Sequence, residues 1–341
     1  MIARMRDVAE RANVSVATVS IFLNTPDQVG ARSAERIRAA IAELGFVRNA
    51  AASQLRRGTS KTIAFIAFDV GDPFSYSVAR GARRRAAEAG FRLVLADTDG
   101  DGDVEREYLS LFEEQRVRGI LLQSVLNQEG APHGRSTVRV PLVMIDHRTP
   151  LDEFSSVSVN NLLGGELAAQ HLIDQGKSRL AFVGGPVSIQ QIADRLHGVE
   201  LVVERTPGTQ LEFFDTAERD AAAGRTVAEE IISRPRARRP DAVFCVNDTI
   251  AIGMLQRFAV DPTTRVPEDI GVVGYNDVAM DRYPSLPLTS VRQPHEMFGA
   301  TAVDLLLSEV EGVRSTAHRQ VVFDPELVVR ETTVGGAGLF P

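Results

Sequence analysis

The stretch MRDVAERANVSVATVSIFLN, at residues 5–24, decides how the first part of this chain folds. Val8 and Ala12 recur at the spacing of one helix face. A short break follows, and Ser15 then offers a hydroxyl that can cap the open amides of a second helix over residues 16–23. Two short helices joined by a tight turn predict a helix-turn-helix unit.

A third amphipathic helix is predicted over residues 33–44. Ile37 and Ile41 lie on one of its faces, and Gly45 suits a helix stop. The three helices are sufficient for a small all-α domain at residues 1–47, although their periodicity alone fits any three-helix bundle.

The distribution of charge suggests what this head binds. The chain carries a formal charge of −7, but residues 1–60 hold nine arginines against five acidic residues, which gives +4 there and −11 elsewhere. A basic head on an acidic body is typical of a DNA-binding module joined to another domain.

Length and composition bound the protein class. The 341 residues predict two or three domains, and a single cysteine, Cys245, excludes an intrachain disulfide and a zinc finger. The sequence has neither a signal-peptide segment nor an apolar run long enough to cross a membrane. We therefore expect a cytoplasmic protein without a membrane partner.

Beyond residue 61, short apolar runs alternate with helical stretches. This pattern predicts an α/β body of parallel sheets with helices on both faces. The predicted strands are 62–68, 91–96, 119–122, 140–145, 179–183, 242–246 and 270–274, and the predicted helices are 74–89, 103–116, 161–175, 217–232 and 249–258. Two such sets imply two lobes with a ligand cleft at the carboxyl ends of the strands.

Specific phrases of the sequence resemble the lac repressor (LacI/GalR) family. They are DVAERANVSVATVSIFLN and RIRAAIAELGFVRNAAASQLRRG in the head, and LAFVGGP, DAVFCVNDTIAIGML and IGVVGYNDVAMDRYPSLPLTSVRQP in the body. The resemblance implies a hinge at residues 48–60 and a two-lobed, periplasmic-binding-protein-like effector-binding and dimerisation domain at residues 61–333, followed by a tail at 334–341. It also implies crossings between the lobes near Asn160, Ser290 and Phe323.

The resemblance further implies that the second helix enters the DNA major groove. Base edges would face Val16, Ala17 and Ile21; Ser15, Thr18 and Ser20 would contact phosphates or bases; and Arg32 and Arg36 would hold phosphates. Relatives often place a polar reader where this chain has Ile21. Because an aliphatic side chain packs on a thymine methyl group, we expect a T or A·T preference there.

In the resembled family, two hinge helices pair in the minor groove of the DNA. The matching residues are Asn49, Ala52, Leu55 and Arg56, of which Leu55 would wedge between base steps. A pseudo-palindromic operator requires two copies, and the tail VGGAGLFP has no leucine heptad, so a homodimer is expected.

Five residues match effector contacts of the resembled family by position: Arg195 in the segment DRLHG, and four residues that follow strands, Phe74, Asp146, Asn247 and Asn276. Together they suit a sugar or sugar derivative, because carboxylate, amide and guanidinium groups pair with hydroxyls. Each also has a structural alternative; Asn247, for example, can begin the next helix.

A purine effector is less well supported by the sequence. The purine repressor's base-gripping arginine and threonine match Ile189 and Gln191, and an isoleucine cannot replace that arginine. The segment 198–215 is also shorter than in relatives, which leaves the pocket wall there in doubt.

Two other functional classes have to be weighed. An α/β enzyme would need a catalytic motif, but the sequence contains no G-x-G-x-x-G after the first strand, no G-x-S-x-G and no phosphate loop. The six histidines lack metal-ligand spacing. A transport solute-binding protein would need export. We expect no catalytic residue, metal or cofactor.

Overall fold

A computed structural model of the chain describes residues 3–47, 60–124, 139–147, 153–278, 286–310 and 318–334. The chain divides into two compact units, Met1–Ser60 and Lys61–Pro341. Among the described residues, the apolar core of the head forms one cluster and that of the body forms three.

The head consists of three helices: α1 (Met5–Ala12), α2 (Val16–Asn24) and α3 (Ala31–Leu44). Val8, Val19 and Ile37 are fully buried between them, as the apolar spacing predicts. Helix α3 begins two residues earlier than predicted, directly after Gly30. The predicted all-α fold of the head is confirmed.

The first lobe of the body, lobe 1, contains a six-stranded sheet in the order β11-β5-β4-β3-β1-β2, in which all neighbouring strands are parallel. Its strands are β1 (Thr62–Ala67), β2 (Arg92–Asp97), β3 (Gly119–Leu122), β4 (Leu142–Ile145), β5 (Ser155–Val159) and β11 (Gln320–Phe323). The helices of this lobe are α4 (Pro73–Glu88), α5 (Gly102–Glu114) and α10 (His295–Val310). Helices α4 and α10 cover one face of the sheet, and α5 packs against a separate core cluster.

The second lobe, lobe 2, repeats this plan with the sheet order β12-β10-β9-β8-β6-β7. Its strands are β6 (Arg179–Val183), β7 (Gln210–Phe214), β8 (Ala242–Cys245), β9 (Gly271–Asn276), β10 (Thr289–Arg292) and β12 (Glu326–Val328), of which β12 is antiparallel. Its helices are α6 (Asn161–Asp174), α7 (Gln190–Arg205), α8 (Ala221–Ser233) and α9 (Asp248–Phe258). The chain crosses between the sheets at Asn160, at residues 293–294 and at residues 324–325.

Several elements were not predicted from the sequence: strands β5, β7, β10, β11 and β12 and helices α7 and α10. The strand β5 reads SSVSV and has no apolar run, yet all five residues are buried between β4 and β11. The backbone of these buried serines forms the hydrogen bonds of the sheet. The strand therefore lacks the apolar pattern by which a buried strand is predicted from a sequence.

Three pairs of body helices cross through reciprocal glycines. In each pair, a methyl group added to either glycine would lie 2.0 to 2.1 Å from a backbone oxygen of the opposite helix. The pairs are Gly81 with Gly299, Gly165 with Gly198, and Gly224 with Gly253. Because the opposing atom is backbone, any side chain at these positions has to push the two helices apart.

We predict that Gly253→Ala destabilises the body by about 1–3 kcal/mol, the usual cost of overpacking. Its added methyl group would meet the Ala221 oxygen at 2.1 Å. Gly271→Ala, in the same lobe, is the matched control because its nearest neighbour would be a Leu172 methyl at 3.4 Å. Urea unfolding measures the free energy of unfolding of both variants. If the two values were equal, the close helix crossing at Gly253 would not be what limits the side chain there.

Candidate DNA-binding face and effector cleft

Helix α2 presents an apolar face to solvent at its first two turns. The Ser15 hydroxyl accepts a hydrogen bond from the Thr18 amide at 3.0 Å and lies 2.8 Å from the Thr18 hydroxyl. Ser15 is thus the N-cap that fixes where the helix begins. Val16 and Ile21 are 45% and 42% exposed, although residues of this type are usually buried.

The remaining predicted DNA contacts of the head lie at or near the surface. Ala17 is exposed and Ser20 is half-buried on α2, whereas Arg32 and Arg36 are exposed on α3. Arg36 donates a 3.3 Å hydrogen bond to Ser33. The predicted hinge residues Asn49, Ala52, Leu55 and Arg56 lie outside the described residues.

The two lobes of the body meet at the carboxyl ends of their parallel strands. Gln191, at the start of α7, donates a hydrogen bond to the backbone oxygen of Asp146, which follows β4 in lobe 1. On lobe 1, the Phe68 ring lies 5.0 Å from the guanidinium of Arg219, in the loop before α8. These contacts define the effector cleft, the space lined by strand ends from both lobes.

Arg195 is the most firmly held of the predicted effector residues. It is buried in lobe 2, where its Nε donates to Asn161 Oδ1 at 2.8 Å and its Nη1 donates to the Val246 carbonyl at 2.7 Å. Its guanidinium centre lies 3.6 Å from the centre of the Tyr275 ring. Tyr275 in turn donates its hydroxyl to Asn161 at 3.0 Å. The first crossing, the cleft and β9 are therefore linked through one guanidinium.

Asp146 lies opposite Arg195 and has an unsatisfied oxygen. Its Oδ1 is buried with no hydrogen-bond partner among the residues that the structure describes. Burial raises the pKa of this carboxyl group from 3.8 to about 7, an effect that Arg195 opposes and Asp72 reinforces. A buried carboxyl group without a donor favours a ligand that brings one.

Phe74 and Asn276 lie on either side of the second crossing. The buried Phe74 ring packs edge-on against His295, with ring centres 5.2 Å apart, so it offers little free surface in this arrangement. The Asn276 Oδ1 accepts a 2.7 Å hydrogen bond from Gln293. Within the described part of the chain, Gln293 Oε1 and His295 Nε2 are buried without partners.

Asn247 has a structural role in addition to its position at the cleft. Its Oδ1 caps α9 by accepting from the Ile250 amide at 2.8 Å, and its Nδ2 donates to the backbone oxygen of Arg219 at 2.9 Å. Capping the next helix was the structural alternative that the sequence left open for Asn247. The amide holds the Arg219 loop in place.

Three titratable side chains at the cleft were not identified from the sequence: Asp72, Arg219 and His295. Asp72 caps α4 by accepting from the Phe74 amide at 3.1 Å, and burial raises its pKa. Its position in the loop after the first strand and directly before Pro73 was a usable signal. Arg219 and His295 follow strands that were not predicted, so no such signal existed.

Comparison with known proteins accounts for both units. Residues 4–49 match the family of bacterial regulatory proteins of the lacI type, and residues 169–333 match the periplasmic binding protein-like domain. The chain is 30% identical over 336 residues to the HTH-type transcriptional repressor PurR of Aliivibrio fischeri strain MJ11, covering 97% of this chain and 98% of that one. The chain belongs to the lacI family of regulatory proteins.

Other family members extend this similarity. The ribose operon repressor of Escherichia coli K12 is 33% identical over 311 residues, covering 90% of this chain and 93% of the relative. Among solved structures, the lac repressor dimer bound to operator and an anti-inducer superposes with a TM-score of 0.83 at 26% identity, covering 98% and 99% of the two chains. The regulator CelR with cellobiose gives 0.71 at 29% identity and covers 97% and 99%.

Within the described ranges, no cluster of three metal-ligating side chains occurs. No helix in those ranges is both long and apolar enough to cross a bilayer.

The raised pKa of Asp146 predicts a pH-dependent stability. The folded chain keeps a proton that the unfolded chain loses, so stability falls as the pH rises from about 4 to about 7. Asp146→Asn removes this cost and leaves the backbone oxygen that accepts from Gln191 in place. Its stabilisation should therefore be about 2–3 kcal/mol larger at pH 8 than at pH 5.

Urea unfolding of the ligand-free chain at the two pH values measures this difference. Glu204→Gln, at an exposed position of α7, is the matched control. An equal gain for Asp146→Asn at pH 5 and pH 8 would mean that the carboxyl group is ionised at both.

Proposed function

We propose that this chain is a cytoplasmic, sequence-specific DNA-binding transcriptional repressor, controlled by a sugar or sugar derivative bound in the effector cleft. The observation that carries the proposal is the solvent-exposed apolar face of α2 on a basic head. Exposed aliphatic side chains on a capped helix are costly in water and suit contact with base edges. Membership of a family of regulatory proteins favours binding over catalysis.

The polar groups of the cleft support a polyhydroxylated effector. Asp146 Oδ1, Gln293 Oε1 and His295 Nε2 are buried and have no partner among the described residues. Each can pair with a ligand hydroxyl, which would remove the cost of an unsatisfied buried group. The relatives named for ribose and cellobiose support the same chemical class. Ile189 packs on the apolar core of lobe 2, which disfavours a purine.

Control of DNA binding follows from thermodynamic linkage. An effector that binds between the lobes favours one relative arrangement of them, and the proposed hinge at residues 48–60 connects that arrangement to the head. Coupling of about 1–3 kcal/mol would change the affinity for the operator about fivefold or more, and DNA would change the effector affinity by the same factor.

A homodimer is the proposed functional unit, because a pseudo-palindromic operator presents two equivalent half-sites. A cavity of about 350 Å³ on lobe 2 is a candidate contact. It is lined mainly by apolar side chains, including Ile252, Leu255 and Ala259. The lac repressor dimer, which covers 98% of this chain, supports two-fold assembly.

The DNA-binding proposal predicts that selection from a random duplex library yields a pseudo-palindromic site. At least one thymine in each half-site should contact Ile21. Its replacement by uracil removes only a methyl group and should weaken binding about fourfold, the worth of one buried methyl group. The same replacement should not change the affinity of the Ile21→Ala variant for the DNA.

Arg36→Gln is the control for a contact to the backbone of the DNA. It should weaken binding to all sequences about equally. It should also reduce the slope of log K against log salt concentration by about one. A strict G·C requirement opposite Ile21 would refute the thymine contact. Failure to bind any duplex at low salt would refute the function itself.

The dimer proposal predicts that Ala259→Glu converts a dimer into a monomer of 37.1 kDa, because it places a charge at the rim of the apolar cavity. Val260→Glu is the matched control, since Val260 is exposed and does not line the cavity. Light scattering at micromolar concentration measures both masses. A dimeric Ala259→Glu, or a tetrameric parent chain, would contradict this interface.

A further inference from the structure

Arg219 is a cation at the effector cleft without a salt bridge. It is half-buried, and its one hydrogen bond within the described residues is a long one, 3.4 Å from Nη1 to the Gly185 carbonyl. Among those residues, no carboxylate lies within 4.0 Å of it, whereas Arg292 and Arg330 in the same lobe both pair with Asp277. Most of its five N–H groups therefore remain available.

The loop that carries Arg219 is fixed at both sides. Asn247 donates to the backbone oxygen of Arg219 at 2.9 Å, and the next residue, Asp220, caps α8 by accepting from Ala223 at 2.8 Å. The side chain therefore extends from a fixed point. A guanidinium on a fixed backbone suits a carboxylate or a phosphate, because two oxygens of either anion match its fork of donors.

Charges around the cleft are divided between the lobes. Lobe 1 contributes Asp69, Asp72 and Asp146, and lobe 2 contributes Arg195 and Arg219. Burial raises the pKa of Asp72, and it raises that of Asp146 to about 7, so the Asp146 carboxyl group loses part of its charge near neutral pH. Burial also lowers the pKa of Arg219, but from 12.5, and arginine stays protonated in proteins.

We propose that the effector carries an anionic group, a carboxylate or a phosphate, that pairs with Arg219, while its hydroxyls meet Asp72 and Asp146. The proposal rests on the proposed function and deepens it. Arg195 is less suited to this role, because Asn161, the Val246 carbonyl and the Tyr275 ring already hold its guanidinium. The Thr216 hydroxyl, buried without a partner in the described part of the chain, lies in the same loop as Arg219.

Matched pairs of sugars test the charge of the effector. Calorimetric titration of the full chain at pH 6.5 compares glucose with glucuronate and gluconate, galactose with galacturonate and galactonate, and ribose with ribose 5-phosphate. At least one anionic member should bind tenfold or more tightly than its neutral partner. Comparison of the carboxylate sugars with the sugar phosphate shows which anionic group the chain binds.

Variants of Arg219 assign the preference to this side chain. Arg219→Gln should lose tenfold or more in affinity for the anionic sugar while the neutral partner's affinity stays the same, and Arg219→Lys should restore part of the loss. Arg238→Gln, which removes an exposed arginine of the same lobe, should change neither affinity.

Two results would overturn the inference: neutral sugars binding as tightly as their anionic partners, or no Arg219-dependent binding in either anionic arm. Operator binding by the same preparations is measured separately. A chain that binds duplex DNA and responds to neutral sugars keeps the proposed function and loses this inference. A chain that ignores DNA loses the function whatever the sugar data.

Discussion

The buried guanidinium of Arg195 is the constraint on which the cleft depends. It joins Asn161 at the first crossing, the Val246 carbonyl at the end of β8 and the Tyr275 ring on β9. A buried charge is costly unless its hydrogen bonds are satisfied, so these elements must keep their relative positions. One side chain thus ties the wall of the cleft to the first crossing between the lobes.

The helix crossing behind Arg195 makes that position possible. Helices α6 and α7 approach through Gly165 and Gly198, and the backbone of Arg195 itself lies against Gly165. Such close contact leaves no room for adjustment by side-chain rotation. The geometry of the cleft wall at Arg195 is therefore set by backbone packing between α6 and α7.

The two lobes differ in the charge of the side chains that they contribute to the cleft. Lobe 1 supplies Asp146, which burial partly neutralises, and lobe 2 supplies Arg219, which stays protonated although burial lowers its pKa. This asymmetry follows from the reference pKa values of the two groups, because burial raises the pKa of Asp146 to about 7, whereas the pKa of an arginine starts from 12.5. An effector that bridges the lobes would satisfy both sides.

The sequence by itself determined the class of each part. Helical spacing, the Ser15 cap and the basic charge defined the head, and alternating apolar runs defined an α/β body, because periodicity and local capping depend on neighbours in the chain. It also located Asp146 and Asn276 at strand ends. Only the tertiary structure showed that the Asn247 amide is used within the fold, that serine-rich β5 is a buried strand, and that Arg219 reaches the cleft. Those facts depend on contacts between residues far apart in the chain, which no local pattern records.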